Sequence, residues 1–172
     1  MRKIIEAQNN KVHKLAVVGR PCQIQALRKL DYNRPLQKPE MEVLSIGLFC
    51  MWSLGWDFKD YLQEQFPGEE ILRLAIPQHG FEVMTDKGLH ELPIDTVKKF
   101  SRAGCNYCLD MTSELADISV GAFEPQEGWN TVIIRTPKGQ QLFNDALTKG
   151  YLISEEYLED ERPYPQLLLE KG

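Results

Sequence analysis

Four cysteines, Cys22, Cys50, Cys105 and Cys108, are the residues of this 172-residue chain whose type and spacing most directly suggest chemistry. Cys22 follows the apolar run KLAVVG and an Arg20-Pro21 turn, and Cys50 closes the apolar run VLSIGLFC. Cys105 and Cys108 form a C-x-x-C inside the glycine-containing loop AGCNYCLD. Four thiolates are a full ligand complement for one 4Fe–4S cluster or one structural zinc ion. A C-x-x-C lets two thiolates bind one centre from a single turn. A helix N-terminus at Pro21-Cys22 and amide donors in the Gly104–Cys108 loop would stabilise the negative charge of a thiolate-bound cluster. Small zinc modules usually bring their ligands as two close pairs. Here 27 residues separate Cys22 from Cys50, and 54 separate Cys50 from Cys105. Residue types and spacing favour a cluster, with zinc and merely buried or redox-active thiols left open.

Such dispersed ligands need a folded scaffold to bring them together. LAVVG at 15–19 reads as a strand buried on both faces. Pro21 suits the first position of a helix, and Ile24, Leu27 and Leu30 continue it at near-helical spacing. After the polar linker DYNRPLQKPE, the run MEVLSIGLFC at 41–50 is a second strand. Strand, helix, strand is the expected βαβ unit, and ligands in such sheets collect beyond the carboxyl ends of the strands. Cys22 and Cys50 are both expected at that edge.

The rest of the chain alternates in the same way. Residues 1–12 form a short, partly helical lead-in that must lean on other segments. SLGWDFKDYLQEQF (53–66) reads as a helix stopped by Pro67-Gly68. ILRLAI, FEVMT and LHELP are short strands, the last two joined by the hairpin turn Asp86-Lys87-Gly88. IDTVKKF is a short helix with Asp95 as its expected cap residue, and ADISVGAF and WNTVIIRT are strands. Pro137 starts a helix that Gly150 ends. YLISEEYLED reads as a strand or short helix, and the tail ERPYPQLLLEKG carries no clear pattern. The expected fold class is α/β: a mixed sheet built on a βαβ unit, with a small hairpin and a cysteine-bearing loop, over residues 1–172 as a single domain.

Composition narrows the setting. The chain is 42% hydrophobic and 26% charged, as globular proteins are, and its net charge of −5 argues against a general nucleic-acid binder. Lys98, Lys99 and Arg102 read as a solvated helix face. There is no secretory h-region and no apolar stretch of membrane-spanning length. A cytoplasmic protein is expected, in which thiols stay reduced and disulfides are a weak explanation for the cysteines.

Other polar residues carry weaker signals. His13, His79 and His90 are isolated and read as surface or loop histidines. Asp110, Glu114 and Asp117 read as a solvated face with a helix or strand cap, with proton or cofactor handling as the functional alternative. Trp52, Trp56 and Trp129 read as core or edge packing. Arg135 and Thr136 end a strand before the Pro-Lys-Gly helix start, a geometry able to hold an anionic phosphate group of a cofactor.

Four motifs in order carry a resemblance: VGRPCQIQALRKL, IGLFC, CNYCLDMTSELADISVGAF and GWNTVIIRTPKG. From about residue 14 to residue 150, the chain resembles the C-terminal domain of the coenzyme F420 hydrogenase/dehydrogenase beta-subunit family. The resemblance implies an oxidoreductase component, an iron–sulfur flavoprotein that moves electrons between a 4Fe–4S cluster, FAD and coenzyme F420. It implies Cys22, Cys50, Cys105 and Cys108 as the cluster ligands, within a cluster-binding core at 13–150. It also implies partners: other oxidoreductase subunits, or an N-terminal portion that members of the family carry before the G-x-P-C turn. Only 13 residues precede the first strand here, so that portion is expected to be missing, and no G-x-G-x-x-G fingerprint is present. The alternative is a non-catalytic module, stapled by zinc or a cluster, that docks a partner chain.

Overall fold

Pro21 and Gln23 show how the first half of the chain is built. Arg20 N donates to Gln23 Oε1 at 2.9 Å, the half of a capping box that satisfies the N-cap amide. Helix α2, Pro21–Asn33, starts there. It follows strand β1, Lys14–Gly19, which is preceded by helix α1, Arg2–Asn9. Strand β2, Glu42–Leu48, runs parallel to β1 with Leu15 opposite Val43 and Gly19 opposite Gly47. The βαβ unit is therefore present, in a computed structural model that describes residues 2–33, 42–77, 80–122 and 128–155. His79, most of the polar linker, residues 156–160 of YLISEEYLED and the tail lie outside the described residues.

The chain divides into two compact units, Met1–Met51 with Leu109–Gly172, and Trp52–Cys108. In the first, β6, Ile118–Ala122, runs parallel to β2, and β7, Asn130–Ile134, runs antiparallel to β6. The strand order is β1-β2-β6-β7. Helix α5, Pro137–Thr148, has Thr136 as its N-cap and proline at its start. Gly150 follows its C-cap with φ +70°, the left-handed conformation glycine adopts without strain. Ile24 and Leu27 of α2 are fully buried, and Ile4 leans on Leu27 and Val43, which explains how so short an α1 persists.

One expectation needs correction here. Among the described strands β1 lies at the edge, and Val18 is 60% exposed, so it is not buried on both faces. Its uninterrupted apolar run fits either a two-faced burial or an edge, and periodicity does not separate the two. Gly47 of β2 has a different constraint. A Cβ there would collide with the Cβ and Oγ of Ser113, a fully buried residue held at φ +59°. Gly47→Ala is expected to destabilise the chain by about 1–3 kcal/mol through overpacking, read as a lowered urea midpoint with an unchanged denaturant slope.

The second unit carries α3, Asp57–Gln65, then β3, Ile71–Ala75, β4, Phe81–Thr85, and β5, Gly88–Leu92. These three strands form an antiparallel sheet in chain order, and Thr85 opposite Gly88 closes the expected hairpin. Its core is Phe58, Leu62, Phe81, Val83 and Val97, with Phe58 packed edge-on to Phe81 at 5.3 Å. Helix α4, Ile94–Lys98, starts at Pro93, which occupies the N-cap with no side-chain bond. Asp95 is consequently not the cap. It lies in the first turn, where its charge meets the positive end of the helix.

The helix expected over 53–66 starts only at Asp57. Residues 53–55 are taken up elsewhere: Gly55 N donates to Phe100 O at 2.8 Å and Arg102 N to Ser53 O at 2.9 Å, around a Leu54–Ser101 bridge. Trp52 packs on the unit's core, as expected, whereas Trp56 is 79% exposed. No helix among the described residues is long and apolar enough to cross a membrane.

Candidate cysteine site

The loop bearing the C-x-x-C is a 3-10 turn, Ala103–Tyr107. It opens directly after Arg102, the last residue fixed by the pairing with Ser53. Cys105 N donates to Arg102 O at 2.8 Å, and Cys108 N donates to Cys105 O at 3.2 Å. Cys105 is half-buried and Cys108 exposed. A donor from outside the turn reaches Cys105: Ser53 N lies 3.4 Å from its Sγ.

Cys50 is half-buried, just past the carboxyl end of β2, and its N–H donates to Met111 O at 2.9 Å. Cys22 is exposed in the first turn of α2, beside the buried Pro21. Both fall at the carboxyl ends of parallel strands, as the βαβ reading expects. Cys22 and Cys50 belong to the first unit, Cys105 and Cys108 to the second. No disulfide and no gathered set of three or more metal-ligating side chains occurs among the described residues.

Asp117 is the residue the sequence reading placed worst. It is 4% exposed, not part of a solvated face. Its Oδ2 accepts from Ser45 N at 2.8 Å and Ser45 Oγ at 2.7 Å, and its Oδ1 accepts from Thr136 Oγ1 at 2.9 Å. Arg28 of α2 closes the network, with a guanidinium nitrogen 3.0 Å from Ser45 Oγ and 3.4 Å from Asp117 Oδ2. β6 pairs with β2 only from Ile46 onward. Upstream, the Asp117 carboxylate takes the Ser45 amide, and Lys138 Nζ donates to Val43 O at 2.8 Å. Side chains thus extend the ladder beyond its first backbone bond, Asp117 N to Ser45 O at 3.0 Å. Burial raises the Asp117 pKa, but the Ser45 and Thr136 hydrogen bonds and the Arg28 charge outweigh it and hold the carboxyl below the ordinary aspartate value.

Thr136 caps α5 by accepting from Gly139 N at 3.1 Å, so its hydroxyl serves both the helix and Asp117. Arg135 donates to Thr112 O at 3.2 Å and Thr112 Oγ1 at 2.9 Å, and its Nε is buried without a partner among the described residues. Asp110 accepts from Glu114 N with both carboxylate oxygens at 3.1 Å, which is the local cap expected of it.

His90 is not isolated. Its Nε2 lies 3.1 Å from Glu69 Oε2, and its ring is 4.5 Å from that of Phe66. The Thr85 hydroxyl, then His90 and Lys87, draw the Glu69 pKa below the usual carboxylate value despite some desolvation. No local signal links Glu69 to His90, because the pairing of β3 with β4 and of β4 with β5 brings them together.

A parallel β1-β2-β6 sheet with cysteines beyond its strand ends, joined to a small antiparallel unit ending in C-x-x-C, defines the class of protein. The family profile for the C terminus of the coenzyme F420 hydrogenase/dehydrogenase beta subunit matches residues 12–160. The chain belongs to this family. It is 30% identical over 157 residues to the beta subunit of coenzyme F420 hydrogenase from Methanococcus voltae, covering 88% of this chain and 55% of that protein. It is 31% identical over 162 residues to the corresponding beta subunit from Methanosarcina barkeri, covering 90% of this chain and 55% of that one. Among solved structures, a chain of the F420-reducing [NiFe] hydrogenase complex from Methanosarcina barkeri superposes with TM-score 0.83 at 30% identity, covering 98% of this chain and 60% of that chain. The chain spans about half the length of these two curated relatives.

Proposed function

We propose that this chain is the electron-transfer part of an F420-linked oxidoreductase beta subunit, with Cys22, Cys50, Cys105 and Cys108 as ligands of one 4Fe–4S cluster. Four reduced thiols form a soft donor set that fits an iron–sulfur cluster. The observation that carries the reading is the 3-10 turn Ala103–Tyr107, which carries Cys105, ends at Cys108 and has Ser53 N as a donor to Cys105 Sγ at 3.4 Å. In this proposal Cys50 joins them, as does Cys22 from the first turn of α2, where helix dipole and amides favour negative charge.

A bound cluster would supply one-electron exchange, and FAD and coenzyme F420 would supply the hydride chemistry. The chain's own residues hold the sulfurs, shape their hydrogen bonding and limit water around the half-buried Cys50 and Cys105. For an anionic group of a flavin or deazaflavin we propose Arg135, at the start of α5. Thr136 would act there by fixing the backbone, since its hydroxyl is already engaged. Partner subunits, or the remaining half of a full-length relative, would complete the flavin site, and a cytoplasmic setting fits this chemistry.

Anaerobic reconstitution with ferrous iron and sulfide tests the reading. The expected product is brown, with about four iron and four sulfide per chain. One zinc per chain and no retained iron would contradict it and support the zinc-stapled docking module instead.

A further inference from the structure

We infer that the backbone N–H of Ser53 positions Cys105 and sets the reduction potential of the centre that this sulfur ligates. This rests on the reading of the cysteines as cluster ligands, and adds a specific donor to it. Within the 3-10 turn the amides of Cys105 and Cys108 are spent on carbonyls, at 2.8 and 3.2 Å. Neither is left for the Cys105 sulfur, and Ser53 N donates to it at 3.4 Å.

The surrounding pairing fixes that amide in place. Ser53 O accepts from Arg102 N at 2.9 Å, Leu54 bridges Ser101, and Gly55 N reaches Phe100 O at 2.8 Å. Arg102 Nε adds a bond to Leu54 O at 3.4 Å. The same two residues, Ser53 and Arg102, thus anchor the start of the loop and aim a donor at its first sulfur. In the thiol form the Cys105 proton faces Ser53 O at 3.9 Å, a poor contact. In the thiolate form only the N–H contact remains, and it strengthens because the acceptor is charged. Hydrogen bonds to cluster sulfurs favour the more negative, reduced state and raise the potential.

The side chain of Ser53 has no part in this, so substitutions separate backbone from side chain. Ser53→Ala keeps the N–H, and the reconstituted variant is expected to titrate as the parent does. Ser53→Pro removes it and is expected to lower the reduced-to-oxidised ratio at a fixed applied potential about tenfold, or 59 mV for a one-electron couple. Because proline also fixes φ, a second measurement leaves the backbone untouched. Protein labelled with 15N only at serine, with the cluster reduced, is expected to show a 15N hyperfine coupling in pulsed EPR. That coupling should vanish in Ser53→Ala, whose amide at position 53 carries no label. Equal potentials in all three proteins, or a labelled parent without the coupling, would overturn the inference while leaving the cluster in place. A parent that retains no iron would overturn the inference and the cluster reading together.

Discussion

Replacing Asp117 by alanine is expected to destabilise the chain by about 3–5 kcal/mol, the range for removing one partner of a buried ion pair. The size follows from what is left behind. Ser45 loses the acceptor of both its amide and its hydroxyl, Thr136 loses its acceptor, and Arg28 keeps a charge on a side chain only 29% exposed. Elements β2, β6, α2 and α5 all meet at this one carboxylate. Urea unfolding at neutral pH measures the effect. A loss below about 1 kcal/mol would mean the network relaxes onto water.

The same carboxylate makes stability depend on pH with a definite sign. Its folded pKa lies below the ordinary aspartate value. The contribution is therefore full above about pH 4 and is lost as pH falls through the depressed folded value. Asp117→Asn removes the titration while keeping the shape. Its stability should be lower at pH 7, yet fall less steeply than the parent's on acidification below about pH 4. Parallel acid limbs for the two proteins would assign the acid sensitivity to other carboxylates.

Asp117 also shows where sequence reading runs out. The α2 face of Ile24 and Leu27, the hairpin at Asp86-Lys87, and the Pro137 and Gly150 ends of α5 were all legible, because each is a local pattern of period, turn or cap. Asp117 and Glu114 look alike in sequence, and nothing local says that one faces Ser45 across the sheet while the other faces water. The pairing of Ser53–Gly55 with Phe100–Arg102 is equally non-local, and it overrode a helical pattern that begins convincingly at Ser53. The Glu69–His90 contact depends on the hairpin in the same way. For the cysteines, residue type and the family motifs carried the reading. The amide on Cys105 and the tie from Cys50 to Met111 needed coordinates.

The second large effect is expected at those cysteines. Cys105→Ser and Cys108→Ser should each lower iron retention after reconstitution severely, because the two sulfurs share one turn and an alkoxide is a poor substitute for a soft thiolate. Cys50→Ser should act likewise, with Cys22→Ser testing whether the α2 turn supplies the fourth ligand. Thermal unfolding separates ligation from packing. Cys22 and Cys108 are exposed, so their serine variants should unfold within about 0.5 kcal/mol of the parent when no metal is present. A stability difference should emerge only after reconstitution, since a bound group stabilises the state that holds it. Iron content equal to the parent's in all four variants would remove the cysteines from any metal site.

Low-temperature EPR of the anaerobically reconstituted, dithionite-reduced chain tests the central claim most directly. The account predicts a half-integer-spin signal of a one-electron-reduced 4Fe–4S cluster in the parent, and its loss in Cys105→Ser. A colourless, EPR-silent parent would contradict it, as would a signal that survives replacement of Cys105.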